Sequence, residues 1–94
     1  MTELGELQRQ MEATYGARDR ARGLAATVAW LAEEVGELAK AARKGTRHEQ
    51  VHEIGDVLAW LASLTDQLGL SLDEAAARYA SGCPRCGAQP CSCP

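Results

Sequence analysis

Trp30-Leu31-Ala32-Glu33-Glu34-Val35-Gly36-Glu37-Leu38 and, beyond a break at Gly45-Thr46, Glu53-Ile54-Gly55-Asp56-Val57-Leu58 are the two stretches on which the fold turns. Each sets apolar residues and acids at steps of three and four, the spacing of neighbours on one face of an α-helix. Followed outward, the first joins an apolar stripe of Leu24, Val28, Leu31, Val35, Leu38 and Ala42. That stripe predicts a helix over about residues 20–44. The second joins Val51, Ile54, Leu58, Leu61, Thr65 and Leu68, closed by Gly69. It predicts a helix over about residues 48–68. So short a connection makes the two helices antiparallel neighbours.

Before this pair, Leu4, Leu7, Met11 and Tyr15 repeat at helical steps. They predict a short amphipathic helix over about residues 3–15, with Gly16 as its stop and Asp19 as the cap of the next helix. After it, Ser71-Leu72-Asp73-Glu74 reads as a capping box, with Leu70 and Ala75 as its hydrophobic staple. A fourth helix should run from there to about Ala80, and Gly82 opens a tail of Cys, Pro and Gly. With no Phe and 4% aromatic residues, the core must come from Leu, Val and Ala, two of them strong helix formers. The expected architecture is all-α: a helical hairpin within a four-helix bundle spanning residues 1–81, with a Cys-rich tail over 82–94. A chain of 94 residues is one domain, and one small enough to need a metal, cross-links or a partner subunit.

Charge and hydropathy exclude several classes. A net charge of −3 is not the balance of a nucleic-acid-binding domain. No apolar run is long enough to span a membrane. The opening residues Met1 to Glu6 show neither the basic nor the apolar region of a secretory leader. A cytoplasmic protein is expected, and there four cysteines are metal ligands more readily than disulfides.

The acids carry the chemistry. Glu33, Glu34 and Glu37 form E-E-x-x-E on one helix, and Glu53 and Asp56 form E-x-x-D on the next. At about 100° per residue, both sets lie roughly 130° from their apolar stripes and in the same sense. In an antiparallel pair this places both acid faces on one side. Residues equidistant from the turn lie level, which pairs Glu37 with Glu53 and Glu34 with Asp56. Four carboxylates at one level repel one another unless a cation sits among them, and oxygen donors suit Mg²⁺ or Mn²⁺. An acid face exposed to solvent is the alternative, and the double match argues against it.

The same geometry pairs Trp30 with Trp60 at one end of the acid layer. They offer a stacking surface for a nucleobase, or packing within a core or dimer. At the other end stand Lys40 and Lys44, with Arg43, Arg47 and His48 nearby. These suit outer phosphates, or simply offset the negative end of the helix dipole. Glu49-x-x-His52 is a single E-x-x-H, whereas a di-iron carboxylate site needs two. His48 and His52 read as surface residues.

E-E-x-x-E followed by E-x-x-D on two long helices resembles the MazG-like nucleotide pyrophosphohydrolases, and the likeness covers residues 4 to about 79. The resemblance implies an all-α fold completed by dimerisation, as a dimer or a dimer of dimers. It implies Mg²⁺-dependent attack of water on the α-phosphate of a nucleoside triphosphate, releasing the monophosphate and pyrophosphate. By motif position Glu34, Glu37, Glu53 and Asp56 would hold the metal, and Glu33 would orient or deprotonate the water. Arg78 stands where many relatives place an Asn or Lys on phosphate, and is expected to substitute for it.

Cys83-x-x-Cys86 and Cys91-x-Cys93 close the chain among Gly82, Pro84, Gly87 and Pro90. Four thiolates suit a structural Zn²⁺; a redox-active or disordered tail, or crossed disulfides, are the alternatives. An opposing functional reading is a non-catalytic helical dimer that binds a partner through this tail. It expects Glu37→Gln to be silent and Cys86→Ser to abolish function.

Overall fold

The computed structural model describes residues 3–94; Met1 and Thr2, part of the stretch read for a leader, lie outside the described residues. The described residues form four helices: α1 (Leu4–Arg22), α2 (Leu24–Lys44), α3 (Arg47–Gln67) and α4 (Leu72–Ala77). None is long and apolar enough to cross a membrane.

The α2–α3 hairpin forms where the periodicity places it. Thr46 decides its turn. Its Oγ1 accepts the Glu49 N–H at 3.1 Å, and Glu49 Oε1 accepts the Thr46 N–H at 2.9 Å. This is a complete capping box, written in the sequence as Thr46-x-x-Glu49. Gln50 then crosses the turn, its Nε2 donating to the Ala41 carbonyl at 3.0 Å.

The first helix differs from expectation. It continues through Gly16 to Arg22, and the break falls at Gly23, whose φ of 98° is open to glycine and strained for other residues. A helical glycine costs about 1 kcal/mol against alanine but does not stop a helix whose neighbours pack. Gly16 is buried, and the Glu12 carboxylate lies where its side chain would be. Asp19 is correspondingly no cap: it is buried in the last turn of α1, where its carboxylate accepts from Arg22 Nη1 at 2.6 Å. At the far end α4 stops at Ala77, three residues short of the expected limit, and gives way to turns. Ser71 caps it, accepting the Glu74 N–H at 3.3 Å.

Two polar clasps hold α1 in place. Gln8 donates to the Leu70 carbonyl at 2.9 Å and accepts the Leu72 N–H at 2.8 Å. The Gly5 N–H reaches Asp73 at 3.2 Å. Between α2 and α3, Gln67 Nε2 bridges Thr27 Oγ1 at 2.8 Å and Ser63 Oγ at 3.0 Å. The buried side chains are therefore few, scattered and partly polar: Ala41, Ala62 and Leu72, with Asp19, Thr27, Ser63 and Thr65. Much of the apolar stripe stays uncovered, with Val35 49%, Val51 60% and Ile54 48% exposed. One chain does not bury the surface that shaped its helices.

Candidate functional site

The hairpin brings its acids together. Glu53 and Asp56 each offer a carboxylate oxygen, and His52 a ring nitrogen, with all three atoms within 4.8 Å of one another. His52 Nε2 stands 3.2 Å from Asp56 and 3.9 Å from Glu53. Glu34, from α2, approaches Asp56 but stands outside this group of three. Its carboxyl is pushed above the usual range, first by burial, then by Asp56 and by the negative charge of Glu53 and Glu33. Glu53 Oε2 is buried without a hydrogen-bond partner. A carboxylate oxygen is costly to leave that way, and a divalent cation satisfies it. Acids that repel one another around an orphaned oxygen fit Mg²⁺ or Mn²⁺, whose preferred donors are oxygens.

Glu37 is not part of the tight group. It lines an open cleft of about 450 Å³ with Lys40, Lys44, His48, Glu49, His52 and Glu53. The two lysines thus share one cleft with acids of both motifs, a polar surface on which phosphate oxygens and a cation can be held side by side. Glu33 is exposed on α2 next to Glu34.

At the other end of the acid layer Trp30 and Trp60 stack, with ring centroids 5.9 Å apart and planes inclined by 12°. They lie against each other, so a third ring would stack on the outside of the pair rather than between its members. Arg22 adds its guanidinium, 4.8 Å from the Trp60 ring centre. Trp60 and Arg22, with Tyr15, Arg18, Asp19 and Asp56, line a second cleft of about 290 Å³; Trp30 stands on the other side of Trp60, outside that lining. The acids therefore sit between a lysine-bearing cleft and an aromatic one.

A model of the MazG nucleotide pyrophosphohydrolase domain matches residues 22–83, well over half of the chain. The chain belongs to this family. No curated protein matches it significantly. The MazG match takes in the whole α2–α3 hairpin and α4 and stops at the first cysteine of the tail.

One further placement departs from expectation, and other residues join the site unannounced. Arg78 lies at the end of α4 with its guanidinium 5.1 Å from the Tyr79 ring centre, and it lines neither cleft beside the acids. Helix α4 is clasped to α1, away from the hairpin turn, so one chain does not bring Arg78 to the expected phosphate contact. His52 is exposed, as read, and also stands beside Asp56; its i, i+4 spacing was visible in the sequence. Tyr15, Arg18 and Arg22 come from α1, and no motif announced them.

In the tail, the Sγ atoms of Cys83, Cys86, Cys91 and Cys93 lie within 4.8 Å of one another, a group able to hold a metal ion. The cysteines are free thiols. Cys86 is lowered to about 5 by hydrogen bonds from Ser92 and from the Ala88 backbone. Cys83 is lowered by the amides of Cys86 and Arg85. Cys93 is raised to about 11 by the neighbouring sulfurs of Cys91, Cys83 and Cys86.

Proposed function

We propose that this MazG-family chain hydrolyses a nucleoside triphosphate, canonical or modified, to its monophosphate and pyrophosphate by attack of water on the α-phosphate. The observation that carries this reading is the meeting of Glu53 and Asp56, with Glu34 of α2 beside them and Glu53 Oε2 buried without a partner, between a cleft with two lysines and a cleft lined by Trp60, on which Trp30 stacks. The order of groups matches the order of parts in a nucleotide. A base stacks on the outer face of the Trp30–Trp60 pair, the α-phosphate comes to the acids, and the outer phosphates reach Lys40 and Lys44.

Glu34, Glu53 and Asp56, with Glu37 from the cleft, would hold Mg²⁺, which supplies charge neutralisation on the phosphate oxygens. The chain's own residues do the rest. Glu33, exposed and adjacent to Glu34, accepts the proton of the attacking water. Lys40 and Lys44 hold the departing pyrophosphate, and the indoles and Arg22 hold the base, so the reacting phosphorus is fixed from both sides.

A second copy of the chain completes this site. The hairpin alone is too thin to enclose a nucleotide. Its uncovered stripe, Val28, Val35, Val51, Ile54, Leu58 and Leu61, is the surface a symmetric partner would bury. The reading assigns a homodimer or a dimer of dimers, working in the cytoplasm on the nucleotide pool.

The test is direct. Metal-free protein is incubated with a panel of nucleoside triphosphates, Mg²⁺ is added, and pyrophosphate and monophosphate are measured. Stoichiometric release of both from at least one nucleotide supports the proposal. Silence across the panel, with Glu37→Gln neutral and Cys86→Ser disabling in a partner-binding assay, would replace it with the binding-module reading.

A further inference from the structure

The hydrolase reading gives the last residues no task, yet they are organised. We infer that Cys83, Cys86, Cys91 and Cys93 hold one Zn²⁺ ion in a closed tetrathiolate site, and that this ion is what orders the tail.

Geometry is the first support. Cys83 Sγ lies 3.8 Å from Cys93 Sγ, and Cys86 Sγ lies 3.9 Å from Cys91 Sγ. Around zinc, with Zn–S bonds of about 2.3 Å, the edge of a sulfur tetrahedron is about 3.8 Å. The sulfurs thus stand at the separation an ion would impose, one Cys-x-x-Cys loop and one Cys-x-Cys loop supplying two corners each.

The backbone around the sulfurs is the second. The Ser92 N–H donates to Cys86 Sγ at 3.3 Å and the Cys93 N–H to Cys91 Sγ at 3.4 Å. Amide donors spread the negative charge that several thiolates would otherwise concentrate around one ion. The first loop is drawn tight by Gly87 N–H to the Cys83 carbonyl at 2.7 Å and by Cys83 N–H to the Ala88 carbonyl at 3.0 Å. Gly87 and Gly82 sit there at φ 74° and 108°, values that favour glycine.

The third support is what the tail lacks. Residues 81–94 contain no helix, no strand and no buried side chain. Fixing so many backbone dihedrals costs entropy that apolar burial here cannot offset, so a cross-link must do it, and the thiols are free rather than bonded in pairs. A metal bound to four cysteines supplies that link, since binding and folding are then one process. Thiolates select zinc over the magnesium that suits the carboxylates. Four protein donors leave no open position, so the ion is structural. The chain would carry two sites of different character, carboxylate donors on the hairpin and sulfur donors in the tail, and Mg²⁺ does not compete for the second.

The experiment uses the full chain purified under reducing conditions without added metal. Native mass spectrometry and elemental analysis should give one zinc per chain, and Co²⁺ exchange should give the visible absorption of a tetrahedral thiolate site. In amide exchange, stripping the zinc should raise rates across residues 83–93 by at least about tenfold while leaving α2 and α3 unchanged. Cys86→Ser and Cys93→Ser should each lose the ion with helical circular dichroism retained. Should a variant fail to fold, release of zinc from the wild-type chain on thiol modification, with the helices intact, serves in its place. One iron per chain in place of zinc, two disulfides by intact mass, or a tail whose exchange ignores metal removal would each overturn the inference.

Discussion

If Glu34 is poised against Asp56 for a cation rather than merely solvated, its replacement by glutamine should have two opposite effects. The change removes one negative charge and places an amide donor beside the Asp56 carboxylate. Two carboxylates about 4 Å apart repel by roughly 4 kcal/mol at an effective dielectric near 20, and by about 1 kcal/mol in bulk water. Glu34 is half-buried and faces an open cluster, so the lower figure applies. About 1 kcal/mol moves the midpoint of a domain this size by roughly 4–8 °C. The metal-free Glu34→Gln chain should therefore melt higher than metal-free wild type by about that amount at neutral pH. The sign follows from the raised carboxyl of Glu34. Wild type keeps the missing stability below the ordinary carboxylate range and loses it as pH rises through the raised value. The gap between the two proteins should close on acidification. Mg²⁺ should then reverse the order, since a ligand at a hundred times its Kd stabilises wild type by about 2.7 kcal/mol and the variant has lost a donor. Differential scanning calorimetry with and without Mg²⁺, at two pH values, reads all of this. Equal metal-free midpoints together with an undiminished Mg²⁺ response in the variant would refute the reasoning.

Asp56→Asn should lower kcat/KM by about two to three orders of magnitude at saturating Mg²⁺, measured by pyrophosphate release; a loss under tenfold would remove Asp56 from the reaction. Trp30→Ala should raise KM about tenfold with kcat nearly kept, because stacking on one indole contributes roughly 1–3 kcal/mol of base binding. Trp30 is 45% exposed but stacks on Trp60, so the change should also lower the melting midpoint, by about 4–8 °C for each kcal/mol of lost packing. Ile54→Lys should weaken self-association. Ile54 is 48% exposed in the single chain, so about half of a buried side chain's 1.5–3 kcal/mol is lost per protomer. Counted in both protomers, that is a shift of roughly 30-fold in the dissociation constant. Sedimentation velocity across a concentration series checks it, and an unchanged dimer would mean that the stripe faces something else.

The hairpin was legible from residues alone because its determinants are local or periodic. Helical spacing places Glu34 and Glu37 on one face, and Thr46-x-x-Glu49 closes the turn. Equal distances from that turn put Trp30 against Trp60 and Glu34 against Asp56. The cysteine cluster was legible for the same reason, since short loops leave four thiols few ways to avoid one another. Only the tertiary structure decided the rest. Gly16 and Gly23 look alike in sequence, and the stop falls at Gly23 because the first is packed within α1 while the second takes a φ of 98°. Arg22 reaches Trp60, and Tyr15 the aromatic cleft, through the way α1 lies along α3, a contact between segments far apart in the chain that no spacing rule encodes. Glu34 and Glu37 stand outside the tight group while His52 enters it, because side-chain direction, not height along a helix, sets which donors meet. Periodicity determines which face a residue lies on; the packing of other elements determines what that face meets, and so which groups are desolvated, paired or left for a ligand.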